Sequence, residues 1–153
     1  MIEEILRKLT AEIEKLKKHT EQLSTVEKPW SFVPLTTPLT STDFDGDSFS
    51  TTAKTKIDLS DKFGTPAGIK AVLLHYGIKD SASETGGYYI SFSPNDTVGE
   101  WAALFKIQGL TNDVQYRDSS TIPCDANGDI YYQINASGVE TMDVVIQIWG
   151  YFR

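Results

Sequence analysis

The sequence predicts a mainly β chain, an antiparallel β-sandwich of jelly-roll type preceded by an N-terminal coiled-coil α-helix. Three observations carry that expectation. Apolar residues recur with heptad spacing over the first 23 residues, all eleven glycines lie at or after Gly46, and the runs between the glycines alternate with a period of two without helical periodicity. The expected layout is a coiled-coil oligomerisation helix over residues 1–25, an extended connector over 26–48 and a β-sandwich knob over 49–153.

The helix is read from Ile2, Leu6, Leu9, Ile13, Leu16 and Leu23, spaced alternately four and three apart, with Thr20 in the remaining slot. Leu6, Ile13 and Thr20 fall at heptad position a, and Ile2, Leu9, Leu16 and Leu23 at d, so these apolar side chains are the expected oligomer interface. Glu3 with Arg7, Glu4 with Lys8 and Glu14 with Lys18 give favourable i,i+4 pairs, and Glu12 at g suits Lys17 at e of a parallel neighbour. The same stripe would also fit a helix lying on the β domain, but its narrowness favours self-association. A coil of this length spans about 35 Å and is marginal alone, so a second contact between copies is expected.

Pro29, Pro34 and Pro38 forbid continuation of the helix and impose an extended path. Trp30, Phe32, Val33 and Leu35 are too apolar for a free linker, so this connector is expected to pack on the next domain. The strands are expected at 51–59, 69–78, 88–93, 101–107, 113–118, 130–135 and 141–152. Alternation assigns Ile57, Leu59, Val72, Leu74, Tyr76, Tyr88, Ile90, Phe92, Phe105, Ile107, Ile130, Tyr132, Ile134, Val144, Ile146 and Ile148 to the core. The opposite faces offer Leu73, His75, Tyr89, Leu104, Tyr131, Val145, Trp149 and Tyr151, an unusually apolar outer set. Trp149 and Tyr151 on the last strand are therefore expected to meet another protomer.

With 40% hydrophobic and 11% aromatic residues, the 153-residue chain can bury a core. The helix holds five basic and five acidic residues, so the rest of the chain carries the net charge of −7. That surface repels phosphate backbones and anionic lipids, so nucleic acid is not an expected partner. No apolar run approaches about 18 residues and no signal-type segment opens the chain, so no membrane insertion is expected. Cys124 is the single cysteine and forms no intrachain disulfide.

Catalytic pairs are missing from the pattern. His19 lies in the helix, His75 stands between apolar strand residues, and Cys124 has no histidine near it in sequence; no nucleophile-elbow, Walker or dinucleotide motif occurs. No enzyme and no cofactor is expected. Two acidic turns, Asp43-Phe44-Asp45-Gly46-Asp47 and Asp125-Ala126-Asn127-Gly128-Asp129, have the oxygen ligands that Ca²⁺ takes. Asp43, Asp45, Asp47, Asp125, Asn127 and Asp129 are the Ca²⁺ candidates, yet the EF-hand spacing fails and Asp-Gly and Asn-Gly are strong hairpin dipeptides, so plain turns are preferred. Trp101 and Tyr116, aromatics beside short polar residues, are the candidate sugar-binding side chains.

The segments 51–60 (Thr-Thr-Ala-Lys-Thr-Lys-Ile-Asp-Leu-Ser), 66–74 (Pro-Ala-Gly-Ile-Lys-Ala-Val-Leu-Leu) and 145–152 (Val-Ile-Gln-Ile-Trp-Gly-Tyr-Phe) are similar to strand-and-turn patterns of other proteins. In these the β part resembles the small domains of tail-fibre, spike and head-fibre proteins of bacteriophages. The resemblance implies a homotrimer with a helical stem and a C-terminal β knob, located on the virion as a fibre or head decoration. Its partners would be copies of itself, capsid or tail proteins, and a host-surface glycan. It carries over no receptor-binding residue, because the family shares no binding motif. The rival expectations are a carbohydrate-binding module of a cellular protein, which works as a monomer, and a glycan-cleaving enzyme, which needs two carboxylates in a groove.

Overall fold

In the computed structural model, which describes residues 1–24, 29–41, 43–44, 46 and 53–153, the heptad segment is a helix, α1 (Ile2–Ser24). Every side chain of residues 1–21 is exposed, including the seam residues Ile2, Leu6, Leu9, Ile13 and Leu16, which are 46–75% exposed. Ile5 adds a further exposed apolar residue beside the seam. The side chain of Leu23 lies outside the described residues. Of the expected intrahelical pairs Glu4–Lys8 forms, while Glu14 reaches Lys17 and Glu12 reaches Lys15 instead. These exposed pairs contribute little each. No helix among the described residues is long and apolar enough to cross a membrane.

The β part is two four-stranded sheets with every pairing antiparallel. In chain order the elements are β1 (Phe32–Leu39), β2 (Thr55–Ile57), a short helix α2 (Leu59–Phe63), β3 (Ala71–Asp80), β4 (Tyr89–Ser93), β5 (Ala103–Lys106), β6 (Tyr116–Pro123), β7 (Ile130–Asn135) and β8 (Met142–Phe152). One sheet has the order β1-β8-β3-β6 and the other β2-β7-β4-β5. Their facing sides share one core of Val72, Leu74, Tyr76, Ile78, Ile90, Phe92, Ile122, Ile130, Ile134, Met142, Ile146 and Ile148. Tyr76 of the first sheet meets Phe92 of the second at 4.9 Å and Phe105 at 5.8 Å between ring centroids.

Four sequence expectations change. The segment expected as a connector supplies strand β1, paired to β8 through Phe32↔Phe152, Val33↔Tyr151 and Pro34↔Gly150. Pro34 and Pro38 fit because β1 is an edge strand, where a missing N–H faces no second neighbour. The strand expected at 51–59 narrows to β2, its start lying outside the described residues, and its end turns into α2. Asp58 caps that helix by accepting from the Asp61 N–H, and Gly64 ends it at φ 71°. The strand expected at 113–118 is displaced to β6, an edge strand whose Ser119-Ser120-Thr121 core is polar because much of it faces water. Ile122, Ile69, Ile78 and Phe63 join the core, whereas Tyr88, Phe105 and Val144 are only half-buried at its margin.

The fourth change is one of facing. Leu74 pairs with Ile148 and Leu73 with Gly150, so Trp149 has no partner on β3 and stands as a bulge in β8. The extra residue reverses the alternation beyond it. Tyr151 falls opposite core-facing Val72 and packs against the core, rather than sharing the outer face with Trp149 as the unbroken alternation predicted.

Polar ties close the ends of the sandwich. Asp80, fully buried, accepts from the Ala82 and Ser137 N–H groups at 2.9 and 3.0 Å and from the Thr141 hydroxyl at 3.4 Å. Its own carbonyl accepts from the Ser83 hydroxyl and the Asp113 N–H. One side chain thus joins the loop after β3 to the loop before β8, with the 111–113 loop tied to the same residue.

Candidate binding surfaces

The two residues predicted to bind sugar are separated by the fold. Trp101, 47% exposed, lines a hollow of about 270 Å³ with Ser93, Pro94, Asn95, Glu100 and Pro123. Its ring lies 6.4 Å from that of Tyr89. The Asn95 amide donates to Glu100 Oε2 at 3.0 Å, and the Lys54 ammonium donates to Ser93 Oγ at 2.7 Å and to the Glu100 carbonyl. Burial lowers the Lys54 pKa against the raising effect of Glu100 and Asp96. The polar rim around Trp101 is thus held in place before any ligand arrives.

Tyr116 belongs to no such site. It begins β6, whereas Pro123 at the other end of the strand lines the Trp101 hollow, about 23 Å away at 3.3 Å per residue. Its ring packs against the core and its hydroxyl accepts from the Thr111 N–H at 3.0 Å. That hydrogen bond gives Tyr116 a role in fixing the 111–116 turn.

The turn 125–129 is closed on itself. Asp125 Oδ1 accepts from the N–H groups of Asn127 and Asp129 at 2.8 and 2.9 Å, while buried Asp129 accepts from Leu59 N–H and pairs with Lys56 at 2.9 Å. Gly128, at φ 94°, leaves room for the backbone of Gly68, where a Cβ would stand 2.8 Å from its nitrogen. These carboxylates are engaged by backbone donors and an ammonium, the pattern of a plain hairpin turn. In the other turn Asp43 lies 3.8 Å from the Lys62 ammonium; Asp45 and Asp47 lie outside the described residues.

Cys124 is half-buried, and burial, reinforced by Asp125 and Asp129, pushes its thiol from an ordinary 9.0 up to about 12. The raised pKa means that the folded chain holds this proton more tightly than the unfolded one. The resulting stabilisation is full below pH 9 and is lost as the pH rises towards 12. At pH 8 the thiolate fraction is about three powers of ten below that of the unfolded chain. Alkylation by iodoacetamide at pH 8 is accordingly expected to be at least about a hundredfold slower in the native protein than in urea. Equal rates would show the thiol to be free and exposed.

The structure assembles a hollow that the sequence did not reveal. On the outer face of the β1-β8-β3-β6 sheet, pairing sets Ser119, His75 and Gln147 in one row and Arg117, Gly77 and Val145 in the next. Alternation along β8 carries Trp149, 38% exposed, onto the same face as Gln147. Leu73, His75, Arg117, Ser119, Gln147 and Trp149 line a hollow of about 490 Å³. His75 Nδ1 and Ser119 Oγ are 2.9 Å apart, but among the described residues no carboxylate orients the other ring nitrogen, so the geometry of an activated nucleophile is incomplete. The outward position of His75 and Trp149 was legible from alternation; Ser119 was not, because the strand expected there ended at 118.

The fold and these surfaces define the chain as a β-sandwich head joined to a helix with an exposed apolar seam. Compared with known proteins, it matches no family model and no curated sequence.

Proposed function

We propose that the chain is a non-enzymatic appendage protein of a virion, self-assembling through α1 as a parallel homotrimeric coiled coil and presenting a jelly-roll head to a host-surface glycan. The observation that carries this reading is the exposed heptad seam of α1, with Ile2, Leu6, Leu9, Ile13 and Leu16 facing water in the single chain. Soluble chains rarely leave such a stripe uncovered, and a second copy supplies its matching surface. The strand order β1-β8-β3-β6 over β2-β7-β4-β5 supports a jelly roll, the eight-stranded double Greek key. The resemblance to phage fibre and head-fibre domains supports the virion assignment and capsid or tail proteins as neighbours. Trp101 in its prearranged polar hollow supports the glycan, and the alternative use of that hollow is in a monomeric carbohydrate-binding module.

Light scattering after size exclusion separates the two. A mass about three times that of the 17.0 kDa chain is expected at micromolar concentration, and a single-chain mass would overturn the assembly in favour of the module.

A further inference from the structure

We infer that the Trp149 hollow on the outer face of the β1-β8-β3-β6 sheet is a binding site for a carboxylate-bearing sugar, with Arg117 taking the carboxylate and Trp149 the apolar face of the ring. The inference rests on the preceding reading only in that the head binds saccharide; it does not require the trimer.

Four features converge on it. First, Arg117 is positioned and unspent. Its stem crosses Gly77, where a Cβ would stand 2.9 Å from Arg117 Cγ, and its Nη2 donates to Gln115 Oε1 at 2.9 Å. Among the described residues no carboxylate lies within ion-pair distance of it, although the chain holds 21 acidic residues against 14 basic. A guanidinium held in place by a glycine and an amide oxygen has its remaining fork open to a planar anion. Second, the residues lining the hollow include no acid, so nothing inside competes with the ligand's carboxylate. Third, alternation sets Trp149, 38% exposed, on the same outer face as Gln147, so an aromatic side chain stands beside that charge at a bulge in β8, and bulges are common next to sites. Fourth, His75, Ser119 and Gln147 form a polar row across three adjacent strands, giving donors and acceptors for ring hydroxyls.

The overall charge of −7 does not forbid an anionic ligand. At physiological salt, exposed charges beyond about 8 Å are largely screened, so the contact with Arg117 dominates. The hollow is open and shallow, which suits weak binding at one head and multiplication by repeated heads.

The test uses the full chain and the matched pair methyl glucuronide and methyl glucoside, which differ only in carboxylate against hydroxymethyl. At constant ionic strength, the indole N–H resonances of the three tryptophans are followed by ¹⁵N NMR, assigned with Trp149→Phe. A saturable shift of the Trp149 resonance is expected with the glucuronide, at least about tenfold weaker with the glucoside, with the Trp101 resonance unmoved by the glucuronide at that concentration. Arg117→Gln, with an unchanged thermal midpoint, should erase the difference between the two sugars, and Gly77→Ala should weaken the glucuronide by displacing the Arg117 stem. Equal response to both sugars in the wild type would overturn the inference. So would a Trp149 resonance that ignores both sugars but moves on dilution, which would make the hollow a contact between copies. Loss of binding here with an intact trimer would leave the assembly reading untouched.

Discussion

Asp80→Ala is expected to destabilise the head by about 3–5 kcal/mol, a large share of the 5–15 kcal/mol typical of a domain. The carboxylate is fully buried and accepts from Ala82 N–H, Ser137 N–H and the Thr141 hydroxyl. Alanine leaves the two backbone N–H groups without an acceptor, each at about 1–3 kcal/mol, while the Thr141 hydroxyl keeps the Gly138 carbonyl at 3.1 Å. The costs do not simply add, because Ala82 and Ser137 are half-buried and water can reach them after a small loop movement. Asp80→Asn keeps the shape and one acceptor oxygen but turns an NH₂ towards donors, and a loss of about 1–2 kcal/mol is expected. Urea unfolding followed by circular dichroism checks both, read as a shift in midpoint at constant slope. A midpoint change equivalent to less than about 1 kcal/mol for the alanine variant would show that the loops after β3 and before β8 are held by packing alone.

Leu9→Asp with Leu16→Asp is expected to abolish assembly, reducing the solution mass to the 17.0 kDa of one chain. Both residues occupy d positions and are 55% and 66% exposed in the single chain, so the charges stay hydrated there and cost only the lower helix propensity of Asp. In a coiled coil they would be buried against one another, at several kcal/mol per unpaired charge, more than a coil of three heptads can absorb. The head should keep its β-type circular dichroism, since among the described residues its core contains none from α1. A variant with the mass of the wild type would remove the seam from the interface, and loss of the β signal would show that helix and head fold together.

How much of this was legible beforehand depended on the range of the interactions involved. The heptad seam, the β class, the turn at 125–129 and nearly all of the predicted core residues follow from local periodicity and turn chemistry, which act over a few residues. Trp101 beside its polar neighbours was equally local. Apart from α2, which Asp58 and Gly64 cap locally, the misreadings share a cause: each depended on what lies across a strand. The segment 32–39 reads as a connector because its prolines break a ladder, and it becomes a strand only because β8 offers an edge that tolerates them. The polar run Ser119 to Thr121 reads as a loop, and it becomes a strand because β3 pairs with it residue by residue. Tyr151 changed sides because β8 accommodates one extra residue at Trp149, a register choice visible only in its pairing with β3.

By itself, then, the sequence determined a helix with one apolar stripe and a glycine-punctuated β domain, since side-chain periodicity is a property of the chain. Tertiary structure alone decided which strands neighbour one another, and with that the joining of Arg117, His75, Gln147 and Trp149, residues up to 74 positions apart, in a single hollow. Register is set by long-range pairing, in which a slip of one residue exchanges core for surface, and no local pattern encodes it.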